Sequence, residues 1–356
     1  MVKGRIAAGL AMAAFLGIAL APVTAMADET VYVNCDVLRC RSMAEISDNN
    51  VASNLYYGEK LNRVGQEGEW SVVMVDGKRR YAASRYLSAE KPAGDSAGVS
   101  AAAQAESGAE IGLSSSYKYA EFSKINSGKA VLYRSAAAER KGKTICVNAG
   151  HGTSGGSSVK TLCHPDGSAK VTGGTTGAGA TSAVAVSSGM TFADGIAESK
   201  VTLAMAKILK DKLLAEGYDV LMIRESDDVQ LDNIARTVIA NNNADCHISL
   251  HWDSTGSDKG AFYMSVPGNA SYRAMEPVAS HWQEHNRLGE CLVEGLRGAG
   301  QKIFSGGSME MDLTQTSFST IPSIDIELGD KASSHSDSTL RTQADGLVAG
   351  ISKFFS

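Results

Sequence analysis

Residues 145–152 read Ile-Cys-Val-Asn-Ala-Gly-His-Gly, an apolar β-type run that stops at a Gly-His-Gly turn. Such a turn can cradle an anion, reverse the chain, or mount one histidine for a metal. An anion cradle needs G-x-G-x-x-G or P-loop spacing and a helix that starts at once. The continuation Gly-His-Gly-Thr-Ser-Gly-Gly has neither. A metal mount needs partners for His151, so the order of the downstream elements decides the reading.

Those elements alternate. A strand over 143–148 is followed by a helix from Glu198 to Glu216, with apolar Val201, Met205, Ile208 and Leu209 and a stop at Gly217. Residues 218–225 (YDVLMIRE) form the next strand, and Leu231 to Asn242 a helix buried through Leu231, Ile234, Ala235 and Val238. Strands at 245–252 (DCHISLHW) and 260–266 (GAFYMSV), a long helix from Ala274 to Gly298, a last strand at 322–328 (PSIDIEL) and a helix ending near Phe354 complete the region. Strands separated by helix-length segments require crossovers, which predicts an α/β domain with a mainly parallel sheet and helices on both faces.

In such sheets ligands bind beyond the carboxyl ends of the strands. His151, His251 and Glu327 each fall at or just past such an end, and Glu198 opens a helix whose first turn faces the same edge. A catalytic zinc takes three protein ligands of this kind and leaves one position open for water. Asp194 is a rival to Glu198. A second candidate is His281-Trp-Gln-Glu-His285, formally H-x-x-E-H. Its apolar stripe of Val278, Leu288, Cys291 and Leu292 points to an exposed face of a long helix instead. His247 lies deeper on the strand of His251, and His164 and His335 fall on loops.

Four blocks in order carry a resemblance. VNAGHG resembles the I-x-D-x-G-H-G start of the zinc N-acetylmuramoyl-L-alanine amidases of type 3. Residues 197–227 are similar to that family's E-x-x-x-N-L-x-x-A helix and G-Y-x-V-x-x-T-R strand. Residues 229–253 are similar to L-x-x-R-x-x-x-A-N-x-x-x-A-D-x-x-x-S-x-H-A-N, and 321–330 to P-A-V-L-V-E-x-G-F. The resemblance implies one Zn2+ held by His151, Glu198 and His251, and Glu327 as general base. The implied reaction is hydrolysis, by zinc-activated water, of the amide joining N-acetylmuramic acid to L-alanine in peptidoglycan. A zinc peptidase acting on the stem peptide and a non-catalytic wall-binding protein are the alternatives. The chain departs from the pattern in its long segment between His151 and Glu198, which reads as an insertion at the site rim. Trp252-Asp253 replaces Ala-Asn, and Asp330 stands where an aromatic is usual.

Residues 28–90 are all short strands and turns. Leu38, Arg39, Arg41, Gly58, Trp70, Val73, Tyr86 and Leu87 match the pattern of bacterial SH3 domains, with Tyr81 in place of a second tryptophan. That resemblance implies a small all-β barrel that binds wall peptides through Trp70 and Tyr81, with a plain core role for Trp70 as the alternative. Residues 91–139 read as a linker, Ala/Gly/Ser-rich at first, then a hairpin around Asn126-Ser127-Gly128. The catalytic domain is expected over 140–356.

The start of the chain reads as a leader over 1–27. Lys3 and Arg5 precede an apolar run from Ile6 to Ala21, and Ala25-Met26-Ala27 places cleavage before Asp28. The expected product is secreted and wall-associated, with no later membrane span. Formal net charge is −5, and loss of the two leader cations makes the remainder more acidic, which argues against a nucleic-acid partner. The six cysteines permit up to three disulfides. Cys146 and Cys246, in apolar strands, read as buried free thiols. Cys35 and Cys40 point to opposite faces of a regular strand.

Overall fold

The computed structural model describes residues 24–35, 37–46, 50–56, 58–75, 77–91 and 108–356. The leader expected over 1–27 lies outside the described residues, apart from the backbone of 24–27, and so does most of the Ala/Gly/Ser-rich stretch. The chain divides near residue 96 into two compact units.

The first unit is all-β. Among the described residues it comprises β1 (Thr24–Val33), β2 (Val37–Arg41), β3 (Val51–Tyr56), β4 (Lys60–Glu67), β5 (Trp70–Val75), β6 (Lys78–Ala83) and β7 (Leu87–Ser88). They form one antiparallel sheet in the order β3-β2-β6-β5-β4-β1-β7. Alternate residues point inward, so Val31, Val33, Leu38, Cys40, Leu55, Leu61, Val73 and Ala82 make its core.

The second unit contains β8 (Ala109–Gly112), β9 (Lys129–Tyr133), β10 (Thr144–Ala149), β11 (Lys160–Leu162), β12 (Ser182–Val184), β13 (Asp219–Met222), β14 (Cys246–Asp253), β15 (Ala261–Ser265), β16 (Ile303–Glu310) and β17 (Ser323–Asp330). Its helices are α1 (Glu198–Ala215), α2 (Asn233–Asn243), α3 (Ala270–Ala274), α4 (Val278–Gly298), α5 (Thr314–Phe318) and α6 (Asp337–Phe354). The main sheet runs β16-β15-β17-β14-β10-β13-β9-β8. Its centre, β17-β14-β10-β13, is parallel, as crossovers through α1 and α2 require. The expected mainly parallel sheet is corrected at its edges, where β15 runs against β17, β9 against β13 and β8 against β9. The link from β14 to β15 holds no helix, so the chain simply turns back. Residues 109–112 and 129–133, expected in the linker, are paired strands of this sheet.

Both sheet faces are covered. On β10, Ile145, Val147 and Ala149 pack with Val201, Met205 and Leu209 of α1, in one core with Leu292 of α4 and Leu347 of α6. The alternate Cys146 packs with Leu221, Ile223, and Leu231, Ala235 and Ile239 at and within α2. Cys146 and Cys246 are buried free thiols, and burial raises both thiol pKa values. Asp232 caps α2 by accepting from Ala235 N at 2.8 Å, and it also accepts from Ser123 Oγ and Ile125 N. Among the described residues no helix is long and apolar enough to cross a membrane.

The H-x-x-E-H stretch lies on α4 and is not an exposed face throughout. His285 is fully buried, and its Nδ1 accepts from Ser323 N at 3.0 Å, bracing the start of β17. His281 donates to Pro277 O, and Glu284 pairs with Arg287. These contacts make the motif structural. Burial lowers the His285 pKa to about 3. An unfolded histidine titrates at about 6.5, so below that pH only the unfolded chain gains the proton. Stability should then fall by about 1.4 kcal/mol per pH unit from this residue as pH drops toward about 3. His285→Gln keeps an acceptor for Ser323 but cannot titrate. Urea unfolding between about pH 6.5 and 4.5 should therefore show a pH slope shallower by about that amount.

Candidate active site

His151 leaves the end of β10 with φ of 64°, a left-handed backbone that carries the ring away from the strand. The turn is fixed from below by two buried arginines. Arg224 donates to Ala149 O at 3.1 Å and Gly150 O at 2.9 Å, and it reaches Ser199 O and Thr202 Oγ1 in α1. Arg236 of α2 donates to His151 O at 2.7 Å, Ala149 O at 3.3 Å and Thr153 Oγ1 at 2.8 Å. Burial lowers these guanidinium pKa values to about 10 and about 9. Neither arginine was among the expected site residues. The R of the G-Y-x-V-x-x-T-R block, at Arg224, and that of the A-N-x-x-x-A-D block, at Arg236, were the signals available.

Three donors meet above this turn. His151 Nε2 lies 2.9 Å from Glu198 Oε1, His251 Nδ1 lies 3.2 Å from the same oxygen, and the two nitrogens are 3.1 Å apart. The imidazoles meet edge to face, with centroids 4.6 Å apart at 90°. His151 Nδ1 donates to Ser187 O at 2.8 Å, which leaves its Nε2 lone pair facing the other donors. Glu198 Oε1 also accepts from Trp252 N at 3.0 Å, and Oε2 accepts from Met190 N at 2.9 Å. Two histidine nitrogens and one carboxylate suit a hydrolytic zinc. Tetrahedral ligands at ~2.0–2.1 Å from the ion stand roughly 3.3 Å from one another, and the observed separations of 2.9, 3.1 and 3.2 Å fit that spacing.

Two glycines let the rings approach. A Cβ on Gly150 would lie 2.3 Å from the His251 ring, and one on Gly189 would lie 2.7 Å from His151 and 2.8 Å from Glu198. Gly189 also has φ of 80°, where a side chain is strained.

Glu327 is His251's register partner on the adjacent parallel strand β17, so the two side chains share one sheet face. Its Oε2 is buried with no hydrogen-bond partner among the described residues. Burial pushes its pKa up to about 8, against the pull of His251. The opposite holds for Glu198: burial opposes ionisation, but the close approach of both histidines holds its pKa far below the usual carboxylate range. Burial lowers the pKa of His151. For His251 burial is outweighed by the Glu198 hydrogen bond and the Asp325 charge, which hold it up at about 9.

Asp194, the rival to Glu198, is elsewhere: it is exposed and pairs with His335 at 3.1 Å. The segment between His151 and Glu198 is folded against the site. Its β11 and β12 pair, and Lys170, Thr175, Val186, Ser187, Gly189 and Met190 line a cleft of about 550 Å³ with the three donors. Asp312, fully buried before α5, pins it by accepting from His164 Nε2 at 3.0 Å, Lys170 Nζ at 3.0 Å, Val171 N at 2.7 Å and Thr172 N at 3.0 Å. His164 is thus an anchor of the insertion. In the first unit Trp70 lines a separate pocket of about 450 Å³ with Glu45, Ile46, Glu69 and Arg85. Tyr81, half-buried on β6, does not line it.

Residues 145–352 match the family profile described as N-acetylmuramoyl-L-alanine amidase. The chain belongs to that family. It is a hydrolase of peptidoglycan that cleaves the amide between N-acetylmuramic acid and L-alanine. Similar solved structures include the apo amidase Ami1 of Mycobacterium abscessus, 21% identical over 60% of this chain and 99% of that one, with a TM-score of 0.46. An amidase from Clostridium difficile 630 is 16% identical over 60% of this chain and 96% of that one (TM-score 0.43). AmiC2 of Nostoc punctiforme is 17% identical over 61% and 98% (TM-score 0.43). No curated protein matches the chain.

Replacing Asp312 with Ala leaves the Lys170 cation buried without its carboxylate, and loss of one partner from such a pair costs about 3–5 kcal/mol. Limited proteolysis of Asp312→Ala should therefore cut first within residues 164–180, before the sheet. Resistance equal to the unaltered protein would show that the insertion is held by other contacts.

Proposed function

We propose that this amidase works with one zinc ion held by His151, Glu198 and His251, and with Glu327 moving the proton. The spacing of the three donor atoms at 2.9, 3.1 and 3.2 Å carries this reading. Bound zinc supplies Lewis-acid polarisation of the scissile carbonyl and of the attacking water. Glu327 takes the proton of that water and delivers it to the departing alanine nitrogen. Its environment suits both accepting and releasing that proton, because a pKa near 8 set by burial makes the protonated form accessible at neutral pH. With zinc bound at the three donors, Glu327 would be drawn toward its ionised form. Ser187 O and Gly189 supply the acceptor and the room that orient His151.

Glu327→Gln is nearly isosteric and cannot accept the proton. Purified variant should keep stoichiometric zinc and lose amide cleavage by about 10²–10⁴-fold. Normal turnover would remove Glu327 from the mechanism. Digestion of purified peptidoglycan should yield new L-alanine amino termini with unaltered reducing sugars. New termini inside the stem peptide would favour the peptidase alternative instead.

The leader-like sequence pattern over 1–27 and the wall substrate support secretion and retention near the wall. The domain reading is a β-rich module over 28–90, a connecting segment, and the amidase domain to the C-terminus. The all-β architecture and the SH3-like sequence pattern support a wall-peptide role for the module, with Trp70 and Tyr81 as contacts. Trp70 has the stronger support, since it lines a pocket that also has acidic and basic walls. Trp70→Ala in the full chain should reduce co-sedimentation with purified peptidoglycan and leave zinc content unchanged. Undiminished sedimentation would return Trp70 to a plain packing role.

A further inference from the structure

The face of the main sheet that carries His251 and Glu327 also carries a row of smaller polar groups. Asn148, Ser249 and Asp325 are register partners across β10, β14 and β17. Asn148 Nδ2 donates to Ser249 Oγ at 2.9 Å and its Oδ1 accepts from Arg236 at 3.1 Å. Asp325 is different. Its Oδ1 is buried and makes no hydrogen bond among the described residues, while Oδ2 lies 4.0 Å from His251 Nε2. The neighbouring Ser249 hydroxyl offers only partial compensation, and a carboxylate so placed is costly to a fold that gains nothing else from it.

The His251 ring presents Nδ1 to His151 and Glu198, and Nε2 to Asp325. A neutral imidazole offers a ligating lone pair on one nitrogen only when its proton sits on the other, and that proton is held by an acceptor. Gly150 packs directly against the ring, so another residue there would displace it. We propose that Asp325 is a positioning residue for His251, receiving the Nε2 proton and so directing the Nδ1 lone pair to the metal site. Closing the 4.0 Å separation by about one ångström forms the hydrogen bond. The role differs from that of Glu327, which the proposed reaction uses as the proton carrier. It parallels the role of Ser187 O, which holds the Nδ1 proton of His151.

This inference rests on the metal reading of the three donors, and the test separates the two. Zinc affinity is measured by competition with a chromophoric chelator for the unaltered protein, Asp325→Asn and Asp325→Leu. Thermal unfolding of each metal-free protein is followed in parallel. The expected result is zinc binding weakened about 10–100-fold in both variants, with metal-free melting temperatures no lower than that of the unaltered protein. Affinities within twofold of the unaltered protein overturn the assignment of Asp325 alone. A weakened affinity accompanied by a matching drop in metal-free melting temperature also overturns it, because the residue would then be structural. Failure of the unaltered protein to bind zinc overturns the metal reading itself.

Discussion

The arrangement depends on two guanidinium groups holding three successive backbone carbonyls. Where β10 ends, the oxygens of Ala149, Gly150 and His151 meet Arg224 and Arg236. A buried carbonyl without a donor costs about 1–3 kcal/mol, and a left-handed histidine adds strain of its own. Arg224 follows β13 and Arg236 sits on α2, so the turn is complete only after two crossovers have packed. Among the described residues neither arginine forms an ion pair with a carboxylate. Carbonyl dipoles answer their charge, and burial depresses both guanidinium pKa values, helped at Arg236 by the nearby Arg224 cation.

From this clamp the rest follows by sheet geometry. Parallel pairing sets His251 beside Glu327, and a slip of one residue would replace the carboxylate with Ile326 or Leu328. The first turn of α1 brings Glu198 to the same edge, with Thr202 tied to Gly150 O at 2.9 Å. Site precision is therefore borrowed from core packing. Val201, Met205 and Leu209 bury one side of α1 while Glu198 projects from its start.

Much of this was legible in the sequence because it is periodic or terminal. Helix stripes, strand runs and residues at strand ends are local signals, and they located His151, Glu198, His251 and Glu327. Long-range pairing left less trace. Strand direction at the sheet edges depends on which neighbours pair, and β8 offers one inward-packed apolar side chain, Ile111, too little to lift it from a linker-like composition. Asp312 sits in Met-Asp-Leu-Thr with no periodic mark, although five groups converge on it. His285 could have been read correctly. It lies seven residues after Val278 and three before Leu288, on the buried stripe that those apolar residues define.

The carbonyl that fixes the His151 tautomer comes from Ser187, deep in a segment that interrupts the family pattern. Asp312 anchors that segment at its other end. The added chain is therefore not ornament on a finished site. Without Ser187 in place, His151 would lose the acceptor that holds its Nδ1 proton. Placement of this segment therefore bears directly on the chemistry of the site.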